Sequence, residues 1–168
     1  RFEERQIQTE TGFEVESADP DADVLWSTSG VGVDFDLLVG IPPHRGVDLV
    51  ADAGLGDSGW VEVDEATLEA TAAEDVYAMG DAAATPAPKA GSAAHYQAGV
   101  VADRIAASVR GHPPTAVYDG KVICFLEAGM DAATFVSFDY DSLPDLREES
   151  KLVHWAKGAY NEAYWLTA

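Results

Sequence analysis

An α/β fold is predicted by three observations on this 168-residue chain. Short apolar runs closed by Gly-Asp or Pro-Pro read as buried strands. A 3.6-spaced apolar pattern before Arg110-Gly111 reads as a long helix, and a hairpin-like pair of strands followed by an amphipathic tail reads as an α+β unit at the C-terminus. The length allows one ordinary hydrophobic core or two small ones.

In chain order, Glu10 to Trp26 alternates loosely around Asp19-Pro20-Asp21, which predicts a hairpin of Phe13-Glu14-Val15-Glu16 with Val24-Leu25-Trp26. After a Gly/Ser stretch, Phe35 to Ile41 is expected as a buried strand stopped by Pro42-Pro43. Gly54-Leu55-Gly56-Asp57-Ser58-Gly59 satisfies the literal G-x-G-x-x-G pattern. The strand-like Trp60-Val61-Glu62-Val63-Asp64 follows it, however, rather than a helix whose N-terminus would hold a pyrophosphate, so the glycines read as a loop.

Asp75-Val76-Tyr77-Ala78-Met79 reads as a short buried strand. Gly80 then permits close backbone approach, and Asp81 leaves a carboxylate at the strand's carboxyl end, where open α/β sheets bind ligands. A plain strand ending in a Gly-Asp turn is the simpler reading. The helix runs from Gly91 or Ser92 to Arg110, with Tyr96, Val100, Val101, Ile105 and Val109 as its apolar stripe and Ser92 as N-cap. Pro113-Pro114 ends it and is the expected domain boundary. Lys121 to Glu127 and Ala133 to Asp139 are expected as an antiparallel hairpin, and Ser150 to Ala168 as an amphipathic helix.

Thirty acidic residues against ten basic ones give a formal charge of −20, spread along the chain without a block of like charge. That is an acidic surface rather than a tail, suited to a high-salt cytoplasm. It argues against nucleic acid, which needs clustered Lys and Arg. Cys124 is the one cysteine, so an intrachain disulfide and a Cys-only zinc site are excluded and no metal site is expected. The charged start, Arg1-Phe2-Glu3-Glu4-Arg5, has no apolar segment behind it and reads as the interior of a longer protein. His44 and His154 read as structural, since no second ligand or carboxylate partner is placed by the sequence.

If Gly80-Asp81 and the start of the long helix face one ligand, the helix amides present about half a positive charge and Lys89 adds a whole one. A solvated loop lysine is the alternative for Lys89. Cys124 lies mid-strand, where a small, buried, inert hydrophobe is a better reading than a reactive thiol. Phe125, Phe135 and Phe138 could pack in a core or line a site for a flat apolar ligand.

With Thr71 ten residues ahead of Asp81 and Pro88-Lys89-Ala90 behind it, the Asp75 to Asp81 run resembles the second flavin-binding motif of FAD-dependent disulfide-oxidoreductase-like flavoproteins. The order of segments is similar to sulfide:quinone oxidoreductases and their flavocytochrome relatives. The segments are Pro42-Pro43-His44-Arg45-Gly46-Val47-Asp48, the flavin motif, Pro88 to Gly91, Val122-Ile123-Cys124 with Glu127 and Gly129 behind, and Lys151-Leu152-Val153-His154-Trp155-Ala156-Lys157. The resemblance implies an incomplete two-dinucleotide-binding-domain flavoprotein fold with a C-terminal α+β unit. Residues 1–50 would be a remnant of an NAD-binding-like domain, 51–113 the return segment of an FAD-binding domain, and 114–168 an interface or quinone-side domain.

The same resemblance implies that Gly80 and Asp81 meet the ribityl chain of FAD, that Lys89, Ala90 and Gly91 meet the pyrimidine edge, and that Cys124 is one of two redox cysteines. Quinone and sulfide would be the small-molecule partners, with Phe125, Phe135 and Phe138 on the quinone side. The glycine fingerprint for the ADP half of FAD and the second cysteine are absent from these 168 residues and are expected upstream of Arg1, so the chain alone is expected to be inactive. The last helix is too polar to span a bilayer, and a cytoplasmic protein, peripheral on the inner face of the cell membrane, is expected. Exposed edges and apolar surface imply a homo-oligomer. Two other functions fit parts of the pattern: a type II NADH:quinone dehydrogenase, which needs no redox cysteine, and an acidic assembly domain with no redox role.

Overall fold

Asp19 starts the first turn of the chain by a local mechanism. In the computed structural model, which describes residues 2–167, its Oδ1 accepts the N–H groups of Asp21 and Ala22, both at 3.0 Å. This Asx turn joins β1 (Val15–Asp19) to β2 (Val24–Ser27), and β3 (Gly32–Asp34) adds to β2, giving an antiparallel sheet in the order β1-β2-β3. Ser27 is buried in the next turn, where its Oγ accepts Val31 N–H at 3.0 Å. The predicted hairpin forms.

The expected buried strand from Phe35 to Ile41 does not form. β3 ends at Asp34, and the run beyond it is irregular, with Leu37, Val39 and Ile41 at 80, 83 and 85% exposure. Apolar character alone cannot hold a strand. A ladder partner is needed, and beyond Phe35, whose N–H donates to Asp23 C=O at 2.9 Å, no strand pairs with this run among the described residues. These elements belong to the first of two units into which the chain divides, Arg1–His44 and Arg45–Ala168. Arg1 and Ala168, the ends of the first and last predicted segments, lie outside the described residues.

In the second unit, α1 (Asp48–Asp52) follows a close backbone crossing at Gly46 and Gly59, bonded by Val47 N–H to Gly59 C=O at 3.0 Å. The predicted loop over Gly54 to Gly59 leads into β4 (Val61–Glu62), which pairs in parallel with β5 (Ala83–Ala84). The parallel pair is joined by a folded excursion rather than a strand. Asp75 to Met79, expected as a strand, makes a single bridge between Tyr77 and Glu69. Its other backbone bonds go to Leu68 and Ala70, and Asp75 itself has φ of 59°, which breaks the pleat. A 3₁₀ turn, Gly80–Ala82, follows.

The long helix is α2 (Gly91–Val109). Its buried stripe is Ala93, Gln97 and Arg104, whereas Ile105 and Val109 of the expected apolar stripe are exposed. The helix is therefore rotated toward a face containing two polar residues, which are buried because each has backbone to bond. Arg104 Nη1 donates to the carbonyls of Ala116 at 3.0 Å and Pro114 at 3.4 Å. Ser92 does not cap the helix: the N-cap is Ala90, and Ser92 Oγ instead accepts Ile123 N–H at 3.3 Å.

The predicted C-terminal hairpin is β6 (Val122–Glu127) with β7 (Ala133–Phe138), extended by β8 (Asp145–Leu146). α3 (Lys151–Thr167) closes the described chain, with Ser150 Oγ accepting Val153 N–H at 3.1 Å as its cap. The core of this unit gathers Val61, Val63, Leu68, Ala83, Ala93 and Val122 among others. The architecture is α/β.

Candidate functional site

Gly80 brings the backbone close to α2. Its φ is +61°, and a Cβ there would meet Ala94 Cβ at 3.1 Å. Its N–H donates to Gln97 Oε1 at 2.6 Å. The turn thereby offers Asp81 to the surface, where its carboxylate is exposed. The Asp81 charge acts on Lys89, whose pKa is lowered by burial and partly restored by that carboxylate.

Lys89 is not the solvated loop lysine of the alternative reading. Its Nζ donates to Ala83 C=O at 2.5 Å and lies 5.2 Å from the Trp60 ring centroid. Ala90 and Gly91 begin α2 without any side chain capping its first amides, which leaves the positive end of the helix dipole to a ligand or to water.

That helix start opens on a cleft of about 1100 Å³, walled by Gly91, Ser92, Tyr96, Phe125, Tyr160 and Trp165, with His95 and Ile123 also on it. Phe125 stacks obliquely near Tyr160 and edge-on to Phe135, at centroid distances of 6.3 and 6.4 Å. The register of β6 and β7 sorts the remaining candidates. Phe125 faces Phe135 across the ladder, while Cys124 faces Val136 and Val122 faces Phe138. Side chains alternate along a strand, so Cys124 and Phe138 share one face and Phe125 and Phe135 the other.

Cys124 is half-buried with a free thiol, and it packs with Phe138 against the core cluster. Gly91 and Phe125 thus meet at one cleft. Asp81 and Lys89 interact beside the turn, and Cys124, Phe135 and Phe138 are not among the cleft's lining residues.

The sequence reading passed over Gln97 and Tyr118, both buried, and the cleft wall of Tyr160 and Trp165. The apolar spacing of the helix pointed to the Tyr96 side and carried no signal for Gln97, whose burial follows from its bond to Gly80. His154, read as structural without a partner, has one. Its Nδ1 lies 2.9 Å from Glu127 Oε2, and Lys157 Nζ donates to Oε1 of the same carboxylate at 2.8 Å.

The chain is 34% identical over 111 residues to the mitochondrial sulfide:quinone oxidoreductase of Schizosaccharomyces pombe, covering 66% of this chain and 24% of that protein. It is similar to sulfide:quinone oxidoreductases. The mouse mitochondrial enzyme is 28% identical over 113 residues, 67% of this chain and 25% of its own, and that of Dictyostelium discoideum 27% over 142 residues, 79% and 31%. The chain therefore spans about a quarter of the length of the first two curated relatives. No protein-family model matches it.

Among solved structures, the sulfide:quinone oxidoreductase from Aquifex aeolicus superposes with a TM-score of 0.83 over 98% of this chain and 42% of that one, at 21% identity. This shows a shared fold. The similarity to sulfide:quinone oxidoreductases is to their C-terminal region. A chain in the structure of the Tetrahymena thermophila mitochondrial ATP synthase matches with a TM-score of 0.72 and 27% identity, over 86% of this chain and 36% of that one.

Proposed function

We propose that this chain is the C-terminal portion of an FAD-dependent oxidoreductase that carries electrons from sulfide to a quinone. The observation that supports it most is the 34% identity to a sulfide:quinone oxidoreductase, joined to a local geometry that fits a flavin. An uncapped helix start opens on a cleft large enough for a tricyclic ring, and a Gly-Asp turn stands at the same helix. When bound, FAD supplies a two-electron relay between donor and acceptor.

Asp81 accepts hydrogen bonds from the ribityl hydroxyls. The segment from Lys89 to Gly91 sets positive charge beside the electron-rich edge of the ring. Phe125, with Phe135 behind it and Phe138 on the far face of the hairpin, contributes to the quinone side. Cys124 forms a disulfide with a second cysteine supplied from outside these residues; sulfide attacks that bond, the S–S bond breaks, and one cysteine keeps the sulfide sulfur as a persulfide while the other leaves as a thiolate carrying the electron pair. Because the Cys124 side chain packs on the core side of β6, sulfide must reach it from that side rather than through the aromatic cleft.

The exposed Leu152, Trp155, Trp165 and Leu166 of α3 provide a peripheral membrane contact near the quinone. No helix among the described residues is long and apolar enough to cross a membrane.

The test is the complete protein carrying this segment. Bound FAD and sulfide-dependent quinone reduction that is lost in Cys124→Ser are the expected results. Undiminished activity of Cys124→Ser with NADH would instead support a type II NADH:quinone dehydrogenase. A colourless protein that cannot be reconstituted with FAD would support an assembly role, the reading favoured by the 27% identical chain in an ATP synthase structure.

A further inference from the structure

Trp60 has no part in the roles assigned above, yet it stands where the place of the Lys89 charge is decided. The Lys89 Nζ donates to Ala83 C=O at 2.5 Å and lies 5.2 Å from the centroid of the Trp60 ring. Ala83 opens β5 and Trp60 directly precedes β4, and these two strands pair in parallel with Val61 opposite Ala83. The carbonyl and the ring therefore come from neighbouring positions on one two-stranded ladder. Lys89 reaches back to both from the residue before Ala90, the N-cap of α2.

The Trp60 backbone is fastened on both sides. Gly59 C=O accepts Val47 N–H at 3.0 Å, and Leu55 C=O accepts Glu62 N–H at 2.9 Å. Trp60 and Lys89 are both half-buried. A lysine ammonium is a point charge on a flexible four-carbon stem, so its position is set by whatever holds Nζ. The carbonyl takes one of its three N–H donors, and an aromatic face attracts the cation without using an acceptor. The pair localises the charge and leaves N–H groups for a ligand. We propose that Trp60 is a positioning residue whose ring, with the Ala83 carbonyl, holds the Lys89 ammonium at a fixed place beside the start of α2. Its use, aiming a preorganised positive charge at the electron-rich edge of a flavin, rests on the functional reading above. The contact between Trp60 and Lys89 does not.

The two can be tested separately in the complete protein carrying this segment. In NMR spectra of protein with isotope-labelled lysine, the Hε protons of Lys89 are identified by their loss in Lys89→Arg. They should be inequivalent and shifted upfield by the indole ring, unlike those of the exposed Lys151. Trp60→Phe, which keeps an aromatic face, should retain most of that shift, and Trp60→Leu should abolish it while Lys151 stays unmoved. In Trp60→Leu the preference for reduced over oxidised FAD should fall about threefold, a midpoint potential about 14 mV lower for a two-electron couple. Lys89→Met should lower the potential at least as far, and adding Trp60→Leu to Lys89→Met should change it little.

A residue that merely fills space would lower the potential by the same amount with or without Lys89. That additivity, Lys89 signals indistinguishable from those of Lys151, or a Lys89 shift that survives Trp60→Leu would each overturn the proposal. Lys89 signals that depend on Trp60 in a protein that takes up no FAD would uphold the contact and overturn the flavin reading, while bound FAD with Lys89 signals indifferent to Trp60 would do the reverse.

Discussion

Gly46 and Gly80 are irreplaceable for different physical reasons, and the difference is measurable. A Cβ on Gly46 would fall on the backbone of Gly59, so alanine there forces two chain segments apart. At Gly80 the obstacle is conformational: φ is +61°, and the nearest atom is the small Ala94 Cβ at 3.1 Å. Gly46→Ala should cost about 1 to 3 kcal/mol, the range for overpacking against atoms that cannot yield. Gly80→Ala should cost about 1 to 2 kcal/mol, the penalty of a left-handed L-residue. Denaturant midpoints at unchanged slope check both, and a Gly80 variant as stable as the parent would refute the backbone argument. The close approach at Gly80 could be read from its position before a carboxylate at the end of an apolar run. Gln97 could not, because its partner is 17 residues away in sequence and only folding shows that an amide on this helix face points at backbone rather than water.

The last helix is held by charge more than by packing. Lys151 pairs with Asp131 at 2.9 Å, and Lys157 and His154 share Glu127 at 2.8 and 2.9 Å, while Leu152, Trp155, Trp165 and Leu166 of α3 face solvent. Lys157 first and His154 second hold the Glu127 carboxyl below its usual 4.5, and Lys151 holds Asp131 below 3.8. Both folded pKa values are depressed, so their contribution is present above those ordinary values and is lost as pH falls through the lower folded ones. Acidification should therefore release α3 before α2, seen as faster amide exchange in residues 151–167 than in 91–109. Glu127→Gln should loosen α3 at neutral pH, and equal exchange in that variant and the parent would show that the contacts hold nothing. The helix itself was legible from its amphipathic spacing, as were α2 and both hairpins, because periodicity and turn residues are local signals. Residues 35–41 and 75–79 were misread for the converse reason. Whether an apolar run pairs as a strand depends on a neighbour that the run does not encode.

At the scale of the molecule, two effects of salt oppose each other. The net charge of −20 repels itself over a Debye length of about 30 Å at 0.01 M, shrinking to about 3 Å at 1 M, so added salt should stabilise the compact state. The same screening weakens the ion pairs under α3, which are exposed and contribute little individually. Self-repulsion acts on every unpaired acid, the tethers on one element only, so the global effect should prevail. The expected result is a melting temperature that rises steadily from low to molar NaCl while α3 amides exchange faster. A melting temperature flat in salt would mean that the acidic surface is spaced widely enough not to strain the fold. Salt also tightens the association of exposed apolar surface, of which Leu37, Val39 and Ile41 form one run and the outer face of α3 another. Light scattering at increasing NaCl should thus show growing self-association. If it persisted unchanged after Leu37→Ser with Val39→Ser and, separately, after Trp165→Ser with Leu166→Ser, neither surface would be its seat, and the strand edges of β1, β3 and β8 would remain as the sites where chains join.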